Sequence, residues 1–225
     1  MFSSPQIKKS ENILLKCEGI SHSFDYPLFD NINLSLDKKE SIAILGISGS
    51  GKSSLLHILS TLLKPNRGKV FCEGKDIYSL SDEKLLTLRR EDIGIIFQAH
   101  YLFNGFSAYE NIELSSILTN QPIDSRLIEL LKIDNILNKK VTELSGGQQQ
   151  RISIARVLTK KPKIIFADEP TGNLDRQTAK NVIEAVFEYI YDNEAALFLV
   201  THDEDLAEKC DKIYRLKEAN LIKEK

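Results

Sequence analysis

Gly46-Ile47-Ser48-Gly49-Ser50-Gly51-Lys52-Ser53 sets a first and a last glycine with four residues between them, then Lys and Ser. That is the pattern of a loop that cradles phosphate groups. Ser41-Ile42-Ala43-Ile44-Leu45 before it is short and apolar, as a buried strand requires. The stretch from Ser54 to Leu63 after it lacks Gly and Pro and reads as a helix. Gly46, Gly49 and Gly51 permit positive φ and close approach, so the backbone N–H groups from Gly46 through Ile47, Ser48 and Ser50 to Ser54 can turn inward on a phosphate. The helix start near Lys52 adds unpaired N–H groups and the positive end of a dipole. Lys52 then supplies a full charge at the β- and γ-phosphates, and the Ser53 hydroxyl a ligand for Mg²⁺.

The chain has 225 residues, enough for one large domain with a substantial core, and its 42% hydrophobic and 28% charged residues are ordinary for a soluble globular protein. A formal net charge of −2 gives no general attraction to nucleic acid or anionic lipid, so no nucleic-acid partner is expected. Cys17, Cys72 and Cys210 are far apart and lack metal-ligand spacing, which fits buried thiols in a reducing compartment. Residues 1–12 are polar and are expected to be flexible. They hold no apolar core of a signal peptide, and no stretch is long and apolar enough to span a bilayer. A cytoplasmic chain is expected, with any membrane span provided by another polypeptide.

From Ile13 to Phe24 and from Phe29 to Leu36 apolar and polar residues tend to alternate, as in half-buried antiparallel strands. Lys69 to Cys72 reads as a short strand between turns, and Ser81 as the N-cap of a helix with Asp82 and Glu83 in its first turn and Arg89-Arg90 in its last. Ile93 to Phe97 is a buried strand ending at Gln98, and residues 99–143 read as mainly helical with a restart at Pro122 and Asp124. Ser145-Gly146-Gly147 opens a helix through Thr159. Ile164 to Ala167 and Ala196 to Val200 are buried strands, the apolar residues between Thr178 and Tyr191 fall on one helical face, and Lys212 to Leu216 reads as an edge strand. Apolar strands alternating with amphipathic helices predict an α/β fold with a mostly parallel sheet.

Asp168 ends a buried strand, where a carboxylate holds Mg²⁺ directly or through water. Glu169 follows at once; a turn at the strand end would aim both carboxylates at the phosphates and make Glu169 the general base toward water. Leu144-Ser145-Gly146-Gly147-Gln148 is the discriminating motif.

With that pentapeptide the sequence resembles the ATP-binding cassette (ABC) ATPases, in order and over nearly the whole chain. Gly46 to Ser53 matches the Walker A loop, Gln98 the Q-loop, Leu144 to Gln148 the signature, and Ile164 to Asp168 the Walker B strand. Glu169 matches the catalytic glutamate, Gly172-Asn173-Leu174-Asp175 the D-loop, and His202 the switch histidine. The resemblance implies a P-loop NTPase with a RecA-like core over 13–225, an antiparallel β subdomain, and an α-helical signature subdomain at about 99–160. It implies ATP and Mg²⁺, with Ser53, Gln98 and Asp168 at the metal and Glu169, His202 and Lys52 catalytic. Two copies would pack head to tail, so that Leu144 to Gln148 of one chain meet the glycine loop of the other, and Asp175 would lie at the nucleotide. Phe24 stands where the family stacks an aromatic on adenine; Tyr26 is the substitute, and a core place for Phe24 the rival. His22, His57 and His100 match no such role and are read as structural.

The segment 54–143 has no sustained heptads and no Cys cluster, unlike the DNA-repair members, and one cassette is present where translation factors carry two. The chain ends soon after His202, so no regulatory domain is expected. A stand-alone transporter ATPase at the cytoplasmic face of the inner membrane is the expectation. The stretches Phe97–Phe103, Ala108–Asn111 and Glu169–Asp175 resemble the subgroup that powers lipoprotein release. Macrolide or peptide exporters and the cell-division ATPase, which signals across the membrane, are the alternatives. Phe103-Asn104-Gly105-Phe106 departs from the usual Leu-Pro-Asp-Phe-like string. Tyr101, Phe103 and Phe106, within 99–107, are expected at the surface as anchors for an integral membrane permease subunit.

Overall fold

The computed structural model describes residues 12–172 and 174–225. The N-terminal residues expected to be flexible, all but Asn12, lie outside the described residues, as does Asn173 of the Gly172–Asp175 stretch.

Two sheets build the chain. The first is antiparallel, in the order β2-β1-β4-β5, from β1 (Ile13–Ser23), β2 (Pro27–Asp37), β4 (Arg67–Cys72) and β5 (Lys75–Asp76). The second has six strands in the order β10-β9-β3-β8-β7-β6: β3 (Ser41–Leu45), β6 (Ile93–Ile96), β7 (Ile164–Asp168), β8 (Ala196–Val200), β9 (Lys212–Lys217) and β10 (Asn220–Lys223). All its pairs are parallel except β9 with β10.

The central strands carry apolar residues on both faces because both faces are covered. Along β3, β7 and β8 the side chains alternate between two cores. Ile42, Ile44, Phe166 and Phe198 pack with the antiparallel sheet and with α1 (Lys52–Leu59), whereas Ala43, Leu45, Ile165 and Leu199 pack under α5 (Gly146–Thr159) and α6 (Arg176–Asp192). On α6 the apolar stripe Val182, Ile183, Val186 and Ile190 is buried, as its spacing predicts. No helix among the described residues is long and apolar enough to cross a membrane.

Two expectations change. Lys212 to Leu216 is not an edge: β9 sits between β3 and β10, and β10 takes the edge. The connecting turn uses Glu218 and Ala219 at φ of 48° and 62°, residue types that give no turn signal; the Asp30 N–H bonds the Ala219 carbonyl at 3.0 Å and holds it.

Residues 99–143 are less helical than expected. They contain α3 (Ala108–Thr119), α4 (Ser125–Leu130) and two single 3₁₀ turns, while 99–107 is irregular. Buried Asn111 stabilises the irregular part: its Oδ1 accepts from Phe103 N at 2.8 Å, and its Nδ2 donates to the Phe103 and Ser107 carbonyls at 3.2 and 2.9 Å. The restart at Asp124 stands, since its carboxylate caps α4.

Ser81 is the N-cap of α2 (Asp82–Glu91), as its sequence position predicts, although its side chain makes no capping bond. There the acidic first turn and basic last turn complement the dipole without it.

Candidate functional site

Because β3, β8, β7 and β6 run parallel, their carboxyl ends share one edge, and each delivers a loop to it. The loop after β3 is the glycine stretch, with Gly49 at φ 78° and Gly51 at φ 99° as the N-cap of α1. Lys52 is nearly buried, and its ammonium is held over the loop by the Gly46 and Ile47 carbonyls, each at 2.9 Å. Burial pulls its pKa below the usual lysine range, opposed by the nearby Glu169 and Asp168 carboxylates.

The loop after β7 brings the two carboxylates together. Asp168 Oδ1 accepts from Ser53 Oγ at 3.1 Å. Glu169 then adopts φ 45°, a left-handed conformation uncommon for a residue with a side chain, and this turns its carboxylate to the same side. Its N–H donates to the Val200 carbonyl at 2.9 Å, fixing the turn to β8. Glu169 Oε1 meets His202 Nδ1 at 2.9 Å and Oε2 accepts from Thr201 Oγ1 at 3.3 Å. A carboxylate only accepts, so His202 carries a proton on Nδ1 in this contact and presents Nε2 elsewhere. Burial raises the pKa of Asp168, and the Ser53 hydroxyl bond works against that rise.

These groups line one cleft of about 520 Å³: Phe24, Ser48, Gly49, Gly51, Lys52, Ser53, Ser54, Gln98, Asp168, Glu169 and His202 all border it. Tyr26, Leu28 and Val200 border it as well, and of these only Tyr26 was anticipated. Gly46, Ile47 and Ser50 line an adjoining hollow that shares Tyr26, Leu28 and Gly49 with the cleft. The aromatic end is the hairpin tip between β1 and β2, where Phe24 and Tyr26 are each 60% exposed; Phe24 is not a core residue. Thr201 was missed, although its place directly before His202 was available as a signal.

The cleft suits Mg²⁺. Ser53 and Asp168 are hard oxygen donors already within one hydrogen bond of each other, and such a site takes its remaining ligands from phosphates and water. The described residues hold no group of three or more His, Cys, Asp or Glu side chains arranged for a metal.

Leu144 to Gln148 do not line this cleft. They form the start of α5, where Ser145 Oγ accepts from Gln148 N at 3.3 Å and Gln148 Oε1 accepts from Ser145 N at 2.9 Å. This capping box leaves the Gly146 and Gly147 N–H groups without partners inside the helix. Leu144 is buried, and the Leu174 side chain covers Gly147 so closely that a Cβ there would sit 3.3 Å from it. Asp175 caps α6 through the Gln177 and Thr178 N–H groups and is not part of the cleft.

The model of the family described as ABC transporter matches residues 29–172, spanning the glycine loop, the α5 start and both carboxylates. The chain belongs to the ABC transporter family. It is an ATP-hydrolysing, nucleotide-binding subunit. Among curated relatives, the lipoprotein-releasing system ATP-binding protein LolD of Bdellovibrio bacteriovorus is 40% identical over 83% of this chain and 88% of its own. The LolD protein of Wigglesworthia glossinidia brevipalpis is 38% identical over 94% and 97%. Among solved structures, the dimeric ABC transporter cassette MJ0796 superposes with a TM-score of 0.85 at 33% identity, covering 94% of this chain and 98% of that one. A post-hydrolysis dimer of MJ0796 bound to ADP and Pi gives 0.84 at 32% identity, over the same shares of the two chains.

Proposed function

We propose that this ABC ATPase powers release of lipoproteins from a membrane, working as a head-to-tail dimer on the cytoplasmic face of an inner-membrane permease. The observation that carries the chemistry is the convergence of Lys52, Ser53, Asp168, Glu169 and His202 on one cleft. The cargo rests on relatives named for lipoprotein release that align over nearly the whole chain.

In this reading adenine stacks on Phe24 or Tyr26 at the hairpin tip, and the loop N–H groups with Lys52 hold the phosphates. Ser53 and Asp168, with Gln98 beside them, would hold Mg²⁺, which supplies charge neutralisation on the phosphates. Glu169 takes the proton from the attacking water, and His202, tied to it through Nδ1, keeps the carboxylate aimed and offers Nε2 to the γ-phosphate. The N-terminus of α5 and Asp175 from a second copy close the far side, a two-fold arrangement with two composite sites.

The permease contacts 99–107. Tyr101, Phe103 and Phe106 are 67%, 56% and 40% exposed, and the Phe103 and Phe106 rings lie 5.6 Å apart as a ready apolar pair. Tyr101 packs edge-on to Phe97, beside Gln98, which links this surface to the cleft.

The test is reconstitution of the chain and its co-purifying membrane subunit into vesicles carrying a lipid-anchored protein. ATP-dependent loss of that protein from the vesicles supports the proposal. Turnover that moves a soluble peptide or drug, and leaves the lipoprotein in place, overturns the cargo.

A further inference from the structure

Gln150 belongs to α5, two residues beyond the signature, and is 2% exposed. Its amide is used at both ends. Nε2 donates to the Pro170 carbonyl at 2.9 Å and reaches the Phe97 carbonyl at 3.5 Å, while Oε1 lies 2.5 Å from His100 Nδ1. Pro170 and Phe97 offer only carbonyl oxygens here, so the NH₂ group must face them and the amide oxygen must face His100. His100 therefore carries its proton on Nδ1.

The partners come from three parts of the machinery. Phe97 and His100 flank Gln98, Pro170 directly follows Glu169, and Gln150 rides on the helix whose first turn is the signature. A second tie joins the same helix to the same segment, since Arg156 donates to the Tyr101 and His100 carbonyls at 2.9 and 3.3 Å. Glu169 holds its positive φ only because its surroundings impose it. Val200 fixes its N–H, the Gly172 N–H fixes its carbonyl, and Gln150 fixes the next carbonyl along.

We propose that Gln150 is a positioning residue for hydrolysis. It holds the Pro170 carbonyl, and through it the orientation of Glu169, and it makes that orientation depend on where α5 and the segment 97–100 sit. A displacement of either one, from the second copy or from the surface at 99–107, is then felt at the water-activating carboxylate through one buried amide. In a low-dielectric setting the unmade bond is costly, so the link transmits movement rather than absorbing it. This inference rests on Glu169 being the general base.

Gln150→Met fills nearly the same volume and can neither donate nor accept as the amide does. Steady-state ATPase kinetics of the whole chain should show kcat reduced tenfold or more, with KM for ATP and the affinity for a fluorescent ATP analogue within twofold of the parent. His100→Leu, at a half-buried position, removes only the oxygen-side partner and should lower kcat threefold or more at unchanged KM. Parental kcat in Gln150→Met overturns the inference, as does a loss of kcat matched by an equal loss of ATP affinity, which is what a packing role would give. If Gln150→Met does not fold, parental kcat in His100→Leu overturns it. Glu169→Gln run alongside separates the two layers. A fast Glu169→Gln protein removes the base assignment and this inference with it, whereas a dead one beside a fast Gln150→Met removes this inference alone.

Discussion

Gly49 and Gly51 sit two residues apart in the glycine loop, both at positive φ, yet their surroundings differ. A Cβ on Gly49 would meet nothing within 4 Å, whereas one on Gly51 would lie 3.2 Å from Leu28 Cβ and 3.3 Å from Phe29 Cδ1. Leu28 and Phe29 are 6% and 1% exposed and belong to the core beneath the hairpin that presents Phe24 and Tyr26, so they have little room to give way. Gly49→Ala bears only the left-handed backbone term, about 1 kcal/mol. Gly51→Ala adds an overpacking term of about 2 kcal/mol, for a total near 3. At roughly 3 °C per kcal/mol for a chain of this size, the thermal midpoints should fall by about 3 °C and about 9 °C. Differential scanning fluorimetry without nucleotide reads both. Equal losses in the two variants would refute the steric reasoning, and a larger loss in Gly49→Ala would reverse it. Strain in Gly51→Ala also pushes on the strand behind the hairpin tip that carries Phe24 and Tyr26, so its affinity for ATP should fall further than that of Gly49→Ala.

Glu169→Gln should lower kcat by roughly 10²–10⁴-fold as a lost general base. It should keep ATP bound and leave the thermal midpoint nearly unchanged, because the exposed His202 partner gives the pair little stability; rapid phosphate release by this variant would exclude the role. Phe103→Ala combined with Phe106→Ala should reduce co-purification with the membrane subunit, and undiminished recovery would place the contact elsewhere. Alkaline pH should destabilise the fold. Burial pushes the Cys17, Cys72 and Cys210 thiols up to about 12, so the folded chain keeps protons that the unfolded chain gives up above about 8.5, and that contribution is lost as pH climbs between the two values. Lys160, lowered to about 8 by burial, works in the opposite sense between about 8 and 10.4, as one group against three. Urea midpoints should fall from about pH 9 upward, and Cys210→Ala should flatten the fall.

The nucleotide cleft was legible because its residues are punctuation as well as chemistry. Gly46 to Ser53, the strand ending at Asp168 and the strand before His202 each combine an apolar run with an abrupt polar stop. The alternation of β3, β7 and β8 between two cores follows from the same runs. What escaped reading depended on contacts distant in sequence. The turn through Glu218 and Ala219 is held by Asp30, and the irregular 99–107 by Asn111, so neither announces itself locally. Ser107 and Glu110 do form a capping box at the start of α3, a local signal that was present and was passed over. Gln150 looks like any polar residue in a Gln-rich stretch until Pro170 and His100 are brought to it. The left-handed Glu169 is likewise a tertiary result, fixed by Val200 from the next strand.

In the proposed dimer the glycine loop is half of a site, completed by the α5 start of a second copy. Lys52→Ala disables the loop and Ser145→Arg blocks the signature, and each protein alone should be nearly inactive. Mixed in equal amounts with free subunit exchange, half of the dimers pair one of each, and every such dimer contains one intact loop facing one intact signature. ATPase activity should then recover to about a quarter of the parental value if the two sites act independently. A mixture no more active than its components would contradict the composite site.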